Sequence, residues 1–569
     1  MRKYLYHNKL YFGFLVLIKI IATIGFVGFA FVMQNIVDFA ANHFTGQSFA
    51  GVVLRSAAFC FCALVAYAIN QISSQFYINR CIFLFRKQYY DHLLKQDYLT
   101  IAEKDSSKYL SDLTNNCNII QDKYFSSSIS LIDDIAGVLL SFVATAFMNW
   151  RLSVIMLVLT TTMLLIPLAL KKPIDQKTKH YSERLENYTS GIKESLLGLL
   201  VIKSYHAEPV FVKEINEKNK EILKAQNHLA VFSNLSWIIS FFVSYGLQIG
   251  MMAVAAYFVV KGDMTIGSIV AVLSLSQGFY GNIQNAVSRV IAVFGTKGIN
   301  DELIASAHLG AAQKDCSEKK MAPDQKGFRR IMVRDLTFRY KKEMPPVLSN
   351  LSLTIERNKK YLILGSNGSG KSTLLKLIAA IFTPYEGSIQ MDGMEYRELD
   401  THYITQQVSY AQQEGYLFNK PLSDNIDILG EHDGEKLKQV IRQAQLQEFV
   451  ASLPNGMDTV VNEEVRKVSG GEKLRIMIAR SLYHGSPVLL LDEITSALDR
   501  GTSRKMEQFI LSQTDKTIIN VCHKFEADLL EQYDEIIIMQ EGRIVEQGSY
   551  QAVHNSELFR QYQTECFMN

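Results

Sequence analysis

The chain has 569 residues, more than a single compact core usually holds, so at least two domains are expected. Its 59 basic and 56 acidic residues leave a formal net charge of +3, which argues against the dense positive surface of a nucleic-acid-binding protein. The seven cysteines show neither a C-x-x-C pair nor the His/Cys spacing of a zinc site. We therefore expect reduced thiols, no structural metal and no nucleic-acid partner.

Six long apolar runs dominate the first half of the chain, and each is long enough to cross a bilayer as a helix. They cover residues 10–33, 51–71, 129–149, 152–170, 236–260 and 266–295. The first run is too long for the core of a cleavable signal peptide, so it is interpreted as a retained span. The sequence thus predicts an all-α transmembrane domain over residues 1–310.

Segments rich in Lys and Arg alternate with segments that have one or none. Lys and Arg number three before the first run, seven in residues 72–128 and eleven in 171–235, whereas 34–50 has none and the other two short loops have one each. This bias predicts that the N-terminus, both long loops and everything after residue 296 are cytoplasmic. Because long structureless loops are uncommon, we expect helical arms with turns near Leu99–Ser107 and Tyr205–Lys213 that contact the second domain.

Four ionisable side chains lie in or beside the apolar runs, where a buried charge is costly. We expect Arg55 to reach the outer membrane surface. Asp133 and Asp134 are expected on a cytosolic extension of their helix. Lys19 lies deeper in its run, and two placements stay open: it lines a substrate cavity, or it lies near the inner surface.

The character of the chain changes after a polar stretch, residues 311–328, which is the predicted linker. From residue 329 to residue 569, β-rich and helical patterns alternate, as is typical of an α/β domain with a parallel sheet. The predicted fold class is multi-domain: a six-helix transmembrane domain with long cytosolic helical arms, followed by an α/β domain.

A phosphate-binding loop follows the strand at 361–364 and precedes a helix at 373–381. It fits G-x-x-x-x-G-K-[ST] in the expected strand-loop-helix context. Backbone amides at the helix N-terminus suit anionic phosphate, Lys371 can reach the β- and γ-phosphates, and the Ser372 hydroxyl can bind Mg²⁺. The predicted ATP-binding residues of this P-loop are Gly365, Ser366, Asn367, Gly368, Ser369, Gly370, Lys371, Ser372 and Thr373.

A second buried strand, Val488–Leu491, is followed by two acidic residues. In a parallel sheet, such a strand carries its terminal carboxylates to the edge where phosphate binds. Asp492 is expected to hold Mg²⁺, usually through water, and Glu493 to polarise the water that attacks the γ-phosphate. With the P-loop, this pair predicts ATP hydrolysis.

Two further motifs complete an ordered set: V-S-G-G-E at residues 468–472, before the acidic strand, and S-A-L-D at residues 496–499, after it. With the six apolar runs, the set resembles the ABC exporter family in its half-transporter form, over essentially the whole chain. The resemblance implies an ATPase coupled to transport by alternating access. It also implies a second half-transporter subunit, identical or different.

The resemblance assigns roles to further residues. Tyr340 would stack on adenine, and Gln413 would contact Mg²⁺ and the membrane domain. Asp499 would lie in a loop at the dimer interface, and His523 would contact the γ-phosphate. The residues that would contact ATP held by the other subunit are Ser469, Gly470, Gly471 and Glu472. The predicted catalytic residues are then Lys371, Glu493 and His523, and the predicted Mg²⁺ ligands are Ser372, Gln413 and Asp492.

The V-S-G-G-E signature departs from the family pattern. It begins with Val468 rather than leucine and ends with Glu472 rather than glutamine, and residues 463–467 replace the usual glycine-rich approach. In related heterodimers, a subunit with an altered signature can retain the hydrolytic glutamate. Glu493 with His523 fits that subunit, and a homodimer fits almost as well.

Export of a lipophilic compound, drug, lipid or peptide across the bilayer is the expected function, because the membrane domain precedes the ATPase domain. Import of a metal chelate on the same architecture is the alternative. An ATP-gated channel or regulator is disfavoured by the intact hydrolytic residues, and the six spans exclude a soluble ATPase acting on DNA or ribosomes. The half-size format favours a bacterial plasma membrane, with the N-terminus and the ATPase domain cytoplasmic.

Overall fold

A computed structural model of the chain describes residues 1–41, 48–102, 106–306, 328–412, 415–462, 468–494, 500–522 and 527–561. The chain divides into two compact units. The first unit consists of Met1–His92 and Ser107–Gly310, and the second consists of Leu93–Ser106 and Ala311–Asn569. The second unit therefore contains a short segment taken from the middle of the helical half.

Long helices build the first unit. After a short helix at Arg2–Leu5, the helices are α1 (Lys9–Ala41), α2 (Phe49–Leu94), α4 (Ser107–Met148), α5 (Trp150–Leu197), α6 (Leu199–Ser204), α7 (Glu208–Val260), α8 (Ile266–Gly295) and α9 (Lys297–Ser306). Helix α3 (Tyr98–Ala102) belongs to the second unit. Two segments of α4, Asp112–Asn116 and Ile120–Ser126, are π-helical.

Five helical stretches of the described chain are long and apolar enough to cross a membrane: Lys9–Ala41, Phe49–Leu94, Ser107–Met148, Phe241–Val260 and Ile266–Ser306. A shorter apolar stretch, Trp150–Thr160, begins α5. Helices α2, α5 and α7 have 46, 48 and 53 residues. About 20 residues suffice for a bilayer, so each of these helices extends well beyond it.

Small and polar residues line the contact between α4 and α8. Gly137, Ser141 and Thr145 recur at helical spacing on the buried face of α4. A Cβ at Gly137 would lie 2.0 Å from Nδ2 of Asn282 in α8, so glycine lets this amide approach the α4 backbone. Small residues that allow close approach are typical of helix contacts in membranes.

Charged residues and one asparagine join four helices of the first unit. Lys19 of α1 donates to Asp133 of α4, and Asn70 of α2 donates to the other Asp133 oxygen at 3.1 Å. Next to it, Arg289 of α8 donates to Asp134 at 2.5 Å. The sequence gives no sign that Lys19, Asp133 and Asp134 have partners, whereas the structure pairs Lys19 with Asp133 and Arg289 with Asp134. Lys19 is only 1 % exposed, so its charge is enclosed between the helices of this chain.

Parallel strands form the centre of the second unit. Among the described residues, a sheet has the order β12-β11-β3-β10-β9-β6, in which only β12 is antiparallel to its neighbour. Its strands are β3 (Lys360–Leu364), β6 (Val408–Ala411), β9 (Val488–Asp492), β10 (Thr517–Val521), β11 (Glu535–Gln540) and β12 (Arg543–Gly548). Strands β3, β9 and β10 are buried throughout, as expected for a sheet covered on both faces.

A smaller antiparallel sheet has the order β2-β1-β4-β5, built from β1 (Arg330–Phe338), β2 (Leu348–Glu356), β4 (Glu386–Met391) and β5 (Met394–Glu395). A two-residue pair, β7 (Lys420–Pro421) and β8 (Val460–Val461), lies apart. The helices are α10 (Lys371–Ile378), α11 (Thr401–Gln407), α12 (Leu422–Ile426), α13 (Gly434–Gln443), α14 (Gln447–Ser452), α15 (Gly470–His484), α16 (Arg500–Leu511) and α17 (Tyr550–Val553).

Helix α3 packs on the core of the second unit. Its Tyr98 ring lies 6.2 Å from that of Phe382, and Leu99 packs against the same buried cluster. This is the first of the two turns that the sequence predicted to contact the second domain. The second predicted turn, Tyr205–Lys213, begins directly after α6 and runs into the start of α7.

The predicted fold class is confirmed: an N-terminal, mostly helical membrane domain precedes an α/β domain. The two compact units divide near Gly310. The predicted linker falls on residues outside the described ranges, apart from Phe328.

Candidate nucleotide-binding site

Two glycines give the P-loop its path from β3 to α10. A Cβ on Gly365 would lie 2.3 Å from the carbonyl oxygen of Met539 in β11, so a side chain cannot fit. Gly370 precedes α10 with a φ of 97°, in the left-handed region that favours glycine. The glycines that the motif requires therefore allow close backbone approach and an abrupt entry into the helix.

Lys371 points back over this loop. Its Nζ donates to the carbonyl oxygens of Gly365, at 2.8 Å, and Ser366, at 2.9 Å, and the residue is only 5 % exposed. Burial lowers the pKa of the ammonium group below its usual value, while the nearby carboxylates of Glu493 and Asp492 act to raise it. A cation of low exposure inside a loop of backbone amides is suited to anionic phosphate.

Ser369 supplies an independent sign that the loop accommodates a ligand. Its hydroxyl oxygen is buried and has no hydrogen-bond partner within the described chain. Buried hydroxyls normally have partners, because an unsatisfied one costs about 1–3 kcal/mol. The hydroxyl and the adjoining α10 N-terminus fit a phosphate group.

Two hydroxyl groups orient the carboxylate of Asp492, which ends β9 and is 5 % exposed. Ser372 Oγ donates to Oδ1 at 2.8 Å, and the Tyr410 hydroxyl donates to Oδ2 at 2.7 Å. A serine hydroxyl beside a carboxylate is the oxygen donor set that Mg²⁺ prefers, so these residues fit the ion. Tyr410 was not predicted as a site residue, because a tyrosine inside a strand is normally read as packing.

Glu493 follows Asp492 in an unusual backbone conformation. Its φ is 53°, in the left-handed region, and its N–H donates to the carbonyl oxygen of Val521 in β10 at 3.0 Å. A non-glycine residue in this region is strained by about 1–3 kcal/mol, and such residues concentrate at functional sites. This conformation turns the chain away from the direction of β9 directly after the strand ends at Asp492.

Tyr340 lies beside the first turn of α10. Its ring makes edge contacts with Phe338 and Phe382, and its hydroxyl is 3.0 Å from Oγ1 of Thr373. The residue is 42 % exposed, so an aromatic surface remains available near the P-loop.

The signature residues form the N-terminus of α15. Ser469 caps this helix, and its hydroxyl and backbone N–H each donate to the Glu472 carboxylate at 2.8 Å. The Glu472 N–H donates in return to the Ser469 hydroxyl at 3.2 Å, which completes a capping box. Ser469 and Gly470 are exposed, and Gly471 and Glu472 are half-buried. The acidic residue that departs from the family pattern thus engages both polar groups of Ser469.

Gln413, Asp499 and His523 lie outside the described residues, but the strands that precede the first and last of them are described. In the sheet register, Ala411 of β6 pairs with Leu491, and Val521 of β10 pairs with Asp492. Parallel strands end at one edge, so the β6 and β10 chains leave the sheet on the side of the P-loop and Asp492.

Fold and site together define an ATP-binding and ATP-hydrolysing domain joined to a membrane domain, and comparison with known proteins agrees. Residues 12–283 match the family model described as ABC transporter transmembrane region, and residues 348–496 match the one described as ABC transporter. The chain therefore belongs to the ABC transporter family, in the exporter-type half-transporter form. It is an ATPase coupled to movement of a substance across a membrane.

Several relatives are similar along most of their length. The ATP-dependent lipid A-core flippase of Salmonella typhimurium is 26% identical over 501 residues, which cover 87% of this chain and 83% of the relative. The lactococcin-G-processing and transport ATP-binding protein LagD of Lactococcus lactis subsp. lactis is 25% identical over 475 residues, covering 82% and 66%. A bacterial Atm1-family ABC exporter solved with ATP bound has a TM-score of 0.76 at 19% identity, with 98% of each chain covered, and shares the fold.

Proposed function

We propose that this chain is one subunit of a dimeric exporter that moves an amphiphilic, lipid-like substrate out of the inner half of a bacterial plasma membrane. The orientation of Asp492 by Ser372 beside the P-loop is the observation that carries the ATP-driven part. The lipid-like substrate rests on relatives named lipid A-core flippases, and a peptide substrate would follow the LagD relative instead. The N-terminus and the ATPase domain are cytoplasmic in this proposal, as the basic loops predict.

The P-loop residues of one chain bind the phosphates of ATP. Lys371 exchanges its two carbonyl partners for phosphate oxygens, and the Ser369 hydroxyl gains the partner it lacks. Tyr340 offers its exposed ring to adenine. Ser372, Asp492 and Gln413 would hold Mg²⁺, which when bound offsets the negative charge of the phosphate oxygens.

Glu493 accepts a proton from the attacking water, and His523 and Lys371 stabilise charge on the γ-phosphate. Glu493 directly follows Asp492 in the chain, and its φ of 53° lies in the left-handed region. A carboxylate at this point acts as a general base only if water reaches it, and the half-buried side chain allows that access.

The signature of the partner subunit completes the site. Ser469, Gly470, Gly471 and Glu472 at the N-terminus of α15 present backbone N–H groups and a hydroxyl, which suit a phosphate held by the other chain. The partner's Asp499 loop would line the same interface. Two bound ATP molecules then join the ATPase domains, and hydrolysis releases them, so that the membrane domains alternate between inward and outward access.

ATP hydrolysis by the purified full-length chain in lipid nanodiscs, measured for wild type and Glu493→Gln alongside native mass, tests this proposal. We expect a dimer mass, retained ATP binding by Glu493→Gln and a loss of turnover of at least about 100-fold. Lys371→Ala should instead weaken nucleotide binding. Unchanged hydrolysis by Glu493→Gln would contradict the assigned base. An inactive, monomeric wild type would contradict a homodimer that hydrolyses ATP by itself, and the chain would then be co-expressed with a different subunit.

A further inference from the structure

Tyr410 connects the metal-binding aspartate to the surface where α3 packs. On one side, its hydroxyl donates to Asp492 Oδ2 at 2.7 Å, while Ser372 donates to Oδ1 at 2.8 Å. Each carboxylate oxygen therefore accepts one hydroxyl hydrogen bond, and together the two bonds fix the plane of the carboxylate. Removing the Tyr410 hydroxyl would free one of the two oxygens.

On its other side, the Tyr410 ring packs against the buried core that also receives α3. Leu99 of α3 and Tyr410 both contact this cluster, in which Phe382 is buried. The Tyr98 ring of α3 lies 6.2 Å from the Phe382 ring. Helix α3 and Tyr410 therefore pack against one and the same buried core.

We propose that Tyr410 is a positioning residue: it orients the Asp492 carboxylate, and the packing of α3 on the core affects that orientation through Tyr410. The inference rests on the proposed role of Asp492 in binding Mg²⁺. Residues that orient a metal ligand commonly change metal affinity by about 10–100-fold when removed. In the chain, α3 lies between α2 and α4, two long helices of the first unit.

The first experiment measures Mn²⁺ binding to the full-length chain in nanodiscs, saturated with a non-hydrolysable ATP analogue, by EPR of free Mn²⁺. Tyr410→Phe retains the ring and should raise the Mn²⁺ Kd roughly tenfold without lowering the melting temperature. Asp492→Asn is the reference and should lose most binding. An unchanged Kd in Tyr410→Phe, with binding lost in Asp492→Asn, would overturn this inference alone. Wild-type binding by Asp492→Asn would overturn the proposed metal site itself.

The second experiment tests the link to α3 with a double-mutant cycle. Tyr98→Ala removes the ring that contacts Phe382 and should weaken Mn²⁺ binding roughly threefold, an energy typical of coupled neighbours. Tyr98→Phe keeps the ring and should bind Mn²⁺ as wild type does. In the Tyr410→Phe background, Tyr98→Ala should have no further effect. Independent, multiplicative effects of the two substitutions would show that Tyr410 does not carry the signal.

Discussion

Lys19 and Asp133 approach each other across two helices, with Nζ 2.6 Å from Oδ2 and the lysine side chain only 1 % exposed. Transfer of two charges out of water is costly, and their attraction offsets this cost only while both are present. Asn70 donates to the second Asp133 oxygen, which further satisfies the carboxylate. The contact between α1 and α4 therefore depends on both Lys19 and Asp133.

Lys19→Met should destabilise the chain, because it leaves the half-buried Asp133 carboxylate without its cation. Loss of one partner of a fully buried pair typically costs about 3–5 kcal/mol, and the 29 % exposure of the Asp133 side chain lowers this cost. The double variant Lys19→Met/Asp133→Asn removes both charges and should recover much of the melting temperature, measured by differential scanning fluorimetry in nanodiscs. The same change at the exposed Lys213 is the control and should leave stability unaltered. A double variant no more stable than Lys19→Met would refute a charge effect.

Glu472→Gln separates the charge of the signature from its capping role. Glutamine can accept the same bonds from Ser469, so the capping box and the stability of α15 should be preserved. Removal of one negative charge from a surface proposed to face phosphate should lower the KM for ATP several-fold, by a like-charge argument. Steady-state ATPase measurements check this, with Glu472→Ala as the variant that also loses the cap. A KM that rises in Glu472→Gln would mean that the carboxylate assists binding.

Gly267 should not tolerate even a methyl group. An added Cβ would lie 2.3 Å from the backbone oxygen of Gln34 and 2.7 Å from the Asp38 carboxylate, which accepts the Gly267 N–H at the start of α8. Gly267→Ala should therefore lower the melting temperature, since a backbone atom cannot move aside cheaply. Gly246→Ala in α7 meets no atom within 4 Å and gains helix propensity of about 1 kcal/mol, so it should be neutral or stabilising. Equal changes in melting temperature for the two variants would contradict the close packing around Gly267.

Asp427 should contribute stability that is lost in acid. Its carboxylate accepts N–H bonds from Gly430, Glu431 and His432 at 2.7–3.1 Å. Burial acts to raise the pKa of Asp427, but these three donors lower it below the usual value of 3.8 overall. The stabilisation is therefore present above about pH 4 and is lost as the pH falls through the lowered pKa.

Asp427→Asn should lower the melting temperature at neutral pH by an amount that shrinks below pH 4, as wild type loses the same charge. Thermal unfolding of both proteins across this range measures the difference. Asp515→Asn, at an exposed site, is the control. A difference between wild type and Asp427→Asn that stays constant down to pH 2 would argue against titration of this carboxylate.

Local patterns in the sequence predicted the parts of the site that are continuous along the chain. The P-loop glycines and the acidic pair at the end of β9 are recognised from strand, turn and helix preferences within about ten residues, and in the structure Ser372 of the P-loop donates to Asp492. The apolar runs likewise predicted long membrane helices, because length and hydropathy are local properties.

Contacts between distant residues could not be predicted in the same way. Tyr410 and Asp492 are 82 positions apart, and Lys19 and Asp133 are 114 positions apart. Each residue alone has an ordinary interpretation, as packing or as a membrane-surface charge, and only the fold brings the partners together. The left-handed backbone of Glu493 is also invisible in the sequence, because glutamate carries no preference for it.

The second compact unit is assembled from two stretches of chain that are far apart in the order of synthesis. On the ribosome, α3 emerges well before Phe382, so its partner surface does not exist when the first helices enter the membrane. Conversely, a fragment that begins at Arg329 would display the apolar surface on which Leu99 packs, without the segment that covers it. Such a fragment should be prone to aggregation, and a peptide spanning Leu93–Ser106 added in trans should improve its solubility.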